Sequence, residues 1–130
     1  MAYCPQSNPQ ALGNVTVATP GTPVQITKTL QSTAAGSGNI VGSSTDPVLC
    51  NLISIITSPI TQAGGGNTGK VYIGSSGMVR ATLAGVIAVL SPGQSIPLTI
   101  NVALNAFDAN KLYVDADTAN DGIYGSLFTV

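Results

Sequence analysis

No stretch of this sequence keeps apolar residues at a helical period for long enough to bury one face of a helix. It runs instead as short alternating segments cut by turn residues about every ten positions. Val24, Ile26 and Leu30 alternate with Gln25, Thr27 and Thr29, the period-two pattern of a half-buried strand. Val48 to Thr57 is apolar on both faces, and Ile53, Ile55 and Ile56 favour a strand covered on both sides. Lys70 to Gly74 reads as a strand, Ser75 to Gly77 as a turn, and Met78 to Leu90 as a strand or strand pair broken near Gly85. Ser91-Pro92-Gly93-Gln94 places Pro and Gly at the central positions of a type II turn.

After that turn Ile96, Leu98, Ile100 and Val102 line one face of a strand, and Pro97 puts this strand at an edge or a start. Ala103 to Asn110 is expected to hold a short helical turn. Leu112, Val114 and Ala116 then alternate with Tyr113 and Asp115, Asn120-Asp121-Gly122 has tight-hairpin chemistry, and Ile123 to Val130 is a final strand. The expected fold is all-β, an antiparallel β-sandwich or jelly-roll-like barrel of seven to eight short strands. Ile53, Ile55, Leu98, Ile100, Leu112, Val114 and Leu127 are the expected core.

The length of 130 residues suits one such domain. Residues 1–14, with Pro5, Pro9 and several Asn and Gln, read as an extended N-terminal arm, which leaves 15–130 as the domain. Val15 to Ala18 is a short strand stopped by the Pro-Gly-Thr-Pro run that ends at Pro23. Residues 31–47 form a long loop or weak edge strand, and 63–69 a flexible Gly-rich loop.

Charge is where the chain departs most from an ordinary domain. Only 7% of residues are charged and there is no Glu, His or Trp, where about a quarter charged is usual. A chain with so few surface charges is expected to hide surface against neighbours. Lys28, Lys70, Arg80 and Lys111 stand singly, without a basic patch, so no nucleic-acid partner is expected. Leu83 to Leu90 is the longest apolar run and is far shorter than a bilayer span, so no membrane partner is expected either. The first residues lack a basic segment followed by an apolar one, which implies synthesis and assembly in the cytoplasm. Cys4 and Cys50 are then expected to be free thiols, and the Asn14-Val15-Thr16 sequon to stay unused.

The motifs that could carry chemistry each lack a required part. Gly64-Gly65-Gly66-Asn67-Thr68-Gly69 has the G-x-G-x-x-G spacing, but a strand follows it where a dinucleotide site needs a helix. Asp115, Asp117 and Asp121 are the one place an ion could bind. Ala119 occupies a position where a calcium loop needs oxygen, and no Glu closes the site, so solvated hairpin ends are the expectation. A Ser or Cys nucleophile would find no His as its base. Asp46 and Asp108 have no context that marks a glycosidase pair. No catalytic residue, metal ligand or cofactor is expected, and the chain reads as a non-enzyme.

Residues 70–130 nevertheless carry a familiar succession. Val71-Tyr72-Ile73-Gly74 is followed by Gly85 and by Leu90-Ser91-Pro92-Gly93-Gln94-Ser95. Lys111-Leu112-Tyr113-Val114-Asp115-Ala116 and Gly122 then precede a terminal strand. This succession resembles small virion proteins of tailed bacteriophages. The resemblance implies a β-sandwich on the phage head or tail, and with the low charge it leads to one expectation. The chain is a capsid decoration or cement protein of the virion that binds the major capsid protein or another virion protein, as a homotrimer. The alternative is a tail, spike or fibre-base domain that contacts a host receptor or glycan, against which the 5% aromatic content weighs.

Overall fold

The computed structural model describes residues 8–28, 49–57, 66–99 and 107–129. Among these residues seven strands have four or more residues: β1 (Asn8–Ala11), β4 (Leu49–Thr57), β5 (Val71–Val79), β6 (Ala84–Leu90), β7 (Ser95–Thr99), β9 (Tyr113–Ala116) and β10 (Gly122–Thr129). Three two-residue segments, β2 (Val15–Thr16), β3 (Val24–Gln25) and β8 (Phe107–Asp108), complete the ladders, and Ala109–Lys111 forms a 3₁₀ turn.

Among the described residues all pairings are antiparallel, and they make two sheets. One has the order β1-β10-β4-β7, and the other β3-β9-β5-β6. β2 continues the edge of β10 that β1 occupies, and β8 continues the edge of β4 beside β7. Each sheet is therefore four positions wide, and the chain is an all-β antiparallel sandwich. Alternation explains the packing. Val71 and Ile73 of β5, Val114 and Ala116 of β9, and Ile123 and Leu127 of β10 turn inward and meet Leu12, Val15, Val17, Ile26, Leu90 and Leu112 in one core. Proline marks edges, as its missing N–H requires: Pro9 lies in β1 and Pro97 in β7, each paired on one side only among the described residues. Gly93 takes φ +86° and Gln94 N–H donates to Ser91 O at 3.0 Å, which is the type II turn expected there.

Of the expected core, Leu112, Val114 and Leu127 are buried and Leu98 packs against the core half-buried. Ile53 and Ile55 lie on β4, a central strand, but their side chains fall outside the described residues, as does all of Ile100. Cys4 and the 31–47 loop lie outside them too, as do the first residues of the 63–69 loop.

Four expectations change. The segment expected as an arm is folded from Asn8 onward: β1 pairs with β10 and Leu12 is fully buried. Ser75 to Gly77 are not a turn, since β5 runs through them, and the reversal falls at 80–83 with Leu83 at φ 62°. Val24 to Leu30 is not one strand either, because β3 ends at Gln25 and Ile26 and Thr27 are buried in a turn. Finally, Asn120-Asp121-Gly122 does not close a hairpin. β9 and β10 belong to different sheets, and the 117–121 turn carries the chain across the sandwich.

Candidate functional site

The outer face of the second sheet holds a polar cluster built by the β5–β9 register. Tyr72 stands opposite Asp115, and both point away from the core because their neighbours Val71, Ile73, Val114 and Ala116 point into it. Asp115 is nonetheless only 1% exposed. Arg80, just past β5, covers it, with Nε 3.2 Å from Asp115 Oδ2 and Nη1 2.7 Å from Asp117 Oδ1. The amides of Gly21 and Ala116 donate to Asp115 Oδ1 at 2.9 and 2.8 Å. The Tyr72 hydroxyl donates to Asp117 at 3.1 Å. Burial of the phenol, and next its hydrogen bond to the Asp117 carboxylate, push the Tyr72 pKa above the ordinary value. The phenol is a proton-holding donor, so this arrangement fixes a turn rather than activating a nucleophile.

Asp121 lies in a separate cluster. Its Oδ2 accepts from the amides of Thr68 and Gly69 at 3.0 and 2.8 Å. Asn67 closes the arrangement by accepting from Gly122 N–H at 3.0 Å and donating to Gly122 O at 2.7 Å. Successive amides of a Gly-rich loop make an anion cradle, and here the chain's own carboxylate fills it. The three aspartates expected as solvated hairpin ends are thus divided, with Asp115 and Asp121 buried and Asp117 tied to Arg80. Among the described residues no group of three or more Asp, Glu, Cys or His could hold a metal ion. Asp108 caps the 3₁₀ turn through Asn110 N–H.

A cavity of about 390 Å³ opens at the far end of the same sheet, lined by Gln25, Ser75, Ser76, Asp108, Asn110, Lys111 and Tyr113. Beneath it the Thr27 hydroxyl donates to Asn110 Oδ1, and Gln25 Nε2 donates to Asn110 O at 3.0 Å.

The most unusual surface is β6. It pairs with β5 on one side, and among the described residues no strand pairs with its other side. Leu90 and Ala88 face the core, while Ile87 and Val89 face out at 60% and 38% exposure. Leu83, 54% exposed, sits in the preceding turn at a left-handed φ that Gly or Asn adopts without strain.

Comparison with known proteins finds no family model that matches the chain, and no curated protein or solved structure similar to it. The chain's own geometry therefore carries the functional argument. The polar clusters around Asp115 and Asp121 are satisfied within the fold, whereas Leu83, Ile87 and Val89 stand exposed. This surface had a signal in the sequence: Leu83 to Leu90 is apolar at consecutive positions, the pattern of a strand covered on both faces. Arg80 had none, because a lone cation does not show that it meets a carboxylate 35 positions later on a neighbouring strand.

Proposed function

We propose that this protein is a non-enzymatic structural subunit that works by assembly, as a capsid decoration or cement protein of a tailed-phage virion. One observation carries the assembly part. β6 is apolar on both faces, yet among the described residues it forms the open edge of a sheet and leaves Ile87, Val89 and Leu83 exposed. Edge strands of free monomers are normally blunted by charge, proline or a covering segment, and β6 carries no charge and no proline. The virion version rests on the succession of strands and turns over residues 70–130. The test is to count copies of this protein in purified particles by quantitative mass spectrometry. Decoration predicts hundreds of copies per particle, whereas a protein absent from purified particles would remove the virion reading.

A second reading has an observation of its own. The 390 Å³ cavity is lined by Tyr113, Ser75, Ser76 and Lys111 among others, an aromatic and polar mixture suited to a sugar ring. A tail or spike protein contacting a host glycan would use it, and a handful of copies per particle with binding to host-surface saccharides would favour that reading.

A further inference from the structure

We infer that the open edge of β6 pairs with the β6 edge of a second copy, antiparallel about a two-fold axis, joining two four-position sheets into one that runs across the dimer. This deepens the assembly reading above and rests on it.

The backbone supplies the first reason. Beyond Gly85, at φ +72°, β6 runs from Val86 to Leu90 with its outer edge open among the described residues. A row of N–H and C=O groups there is matched by any extended strand.

The side chains narrow the choice to a like strand. With Ala88 facing its own copy at the axis, each Ile87 falls opposite the partner's Val89 on the outer face, and each Val86 opposite the partner's Leu90 on the core side. Both exposed aliphatics of the strand then gain an apolar cross-strand neighbour, a pairing of the kind that stabilises sheets. The smallest side chain of the stretch lies where two identical ones must meet. Period-two alternation keeps core-facing residues beside core-facing residues across the joint, so the second copy extends both layers.

Charge permits the same partner. From Val71 to Thr99 the only charged residue is Arg80, and it is neutralised by Asp115 and Asp117. Two copies can approach along β6 without opposing like charges. The other edges do not offer this. β1 and β7 contain proline, and β3 is two residues long.

The test is sedimentation equilibrium of the whole protein, with Ile87→Lys as the disrupting variant. Tyr124→Lys is the control, since it places the same charge at a comparably exposed residue of the opposite sheet. The wild-type protein and Tyr124→Lys are expected to dimerise in the micromolar range, while Ile87→Lys weakens the dimer by about 100-fold or more. A second variant, Val89→Lys, should behave as Ile87→Lys does. Circular dichroism of each variant establishes that it is folded. A wild-type monomer throughout this range, or a dimer that both β6 variants leave intact, would overturn the inference. Particle binding by a protein that is monomeric in solution would sink the pairing and leave the virion reading standing. A β6-dependent dimer absent from particles would do the reverse.

Discussion

Arg80 Nε lies 3.2 Å from Asp115 Oδ2, and the guanidinium closes solvent off from a carboxylate on the outer face of a sheet. That position would ordinarily be wet. The pair ties the start of the β5–β6 turn to β9, and through Gly21 it holds the loop before β3 against the same strand. Removing the cation leaves a buried charge with only two amide donors. Arg80→Met should therefore lower stability by about 2–3 kcal/mol in urea denaturation, somewhat less than a fully buried pair would lose because Arg80 is partly exposed. A change of a few tenths of a kcal/mol would show that the pair behaves as a surface one.

Tyr72 gives the fold an alkaline limit. Its pKa is raised in the folded state, so the unfolded chain loses the phenol proton first as the pH rises. The associated stability is intact below the ordinary tyrosine value of about 10 and is lost as pH climbs through the higher folded value. Urea midpoints measured through this range should fall less steeply for Tyr72→Phe than for the wild-type protein. Parallel profiles would contradict the assignment.

Two glycines separate a close backbone approach from an open position. A Cβ on Gly122 would lie 2.0 Å from the Val15 carbonyl oxygen, where β2 pairs with β10, and this neighbour is backbone that cannot rotate away. Gly122→Ala should cost about 3 kcal/mol or prevent folding. A Cβ on Gly77 meets nothing within 4 Å, so Gly77→Ala should stay within about 0.5 kcal/mol of the wild-type protein in thermal melts.

Leu12 tests whether the N-terminal segment belongs to the fold. It is fully buried among the core residues, and its amide donates to Gly125 O at 2.7 Å. Leu12→Ala should cost about 2–5 kcal/mol. A melting temperature equal to that of the wild-type protein would mean that the segment only rests on the sandwich.

These residues also show where the sequence was legible. Period-two alternation in Leu112, Val114 and Ala116 marked the inward face of β9, and Pro92-Gly93 marked the β6–β7 turn, because both signals are local. The burial of Asp115 was not local. It follows from Arg80 and Gly21, which are distant in sequence and adjacent only once β9 pairs with β5. Asn120-Asp121-Gly122 misled for a related reason: hairpin residues make a tight reversal but do not specify that the next strand joins the same sheet. Pro5, Pro9 and the amides of the first fourteen residues likewise hid a strand, since an edge strand tolerates proline on its open side. The candidate surface was visible as an apolar run, but whether that run is covered depends on its being the last strand of its sheet.

The most direct test of the central claim, assembly through apolar surface, is to wash purified particles with ~1 M salt, where exposed charge pairs are screened and hydrophobic contacts persist, and then quantify this protein on them. The account predicts full retention of the wild-type protein. Release of the wild-type protein at moderate salt would contradict it, since the attachment would then be electrostatic in a chain with only nine formally charged residues.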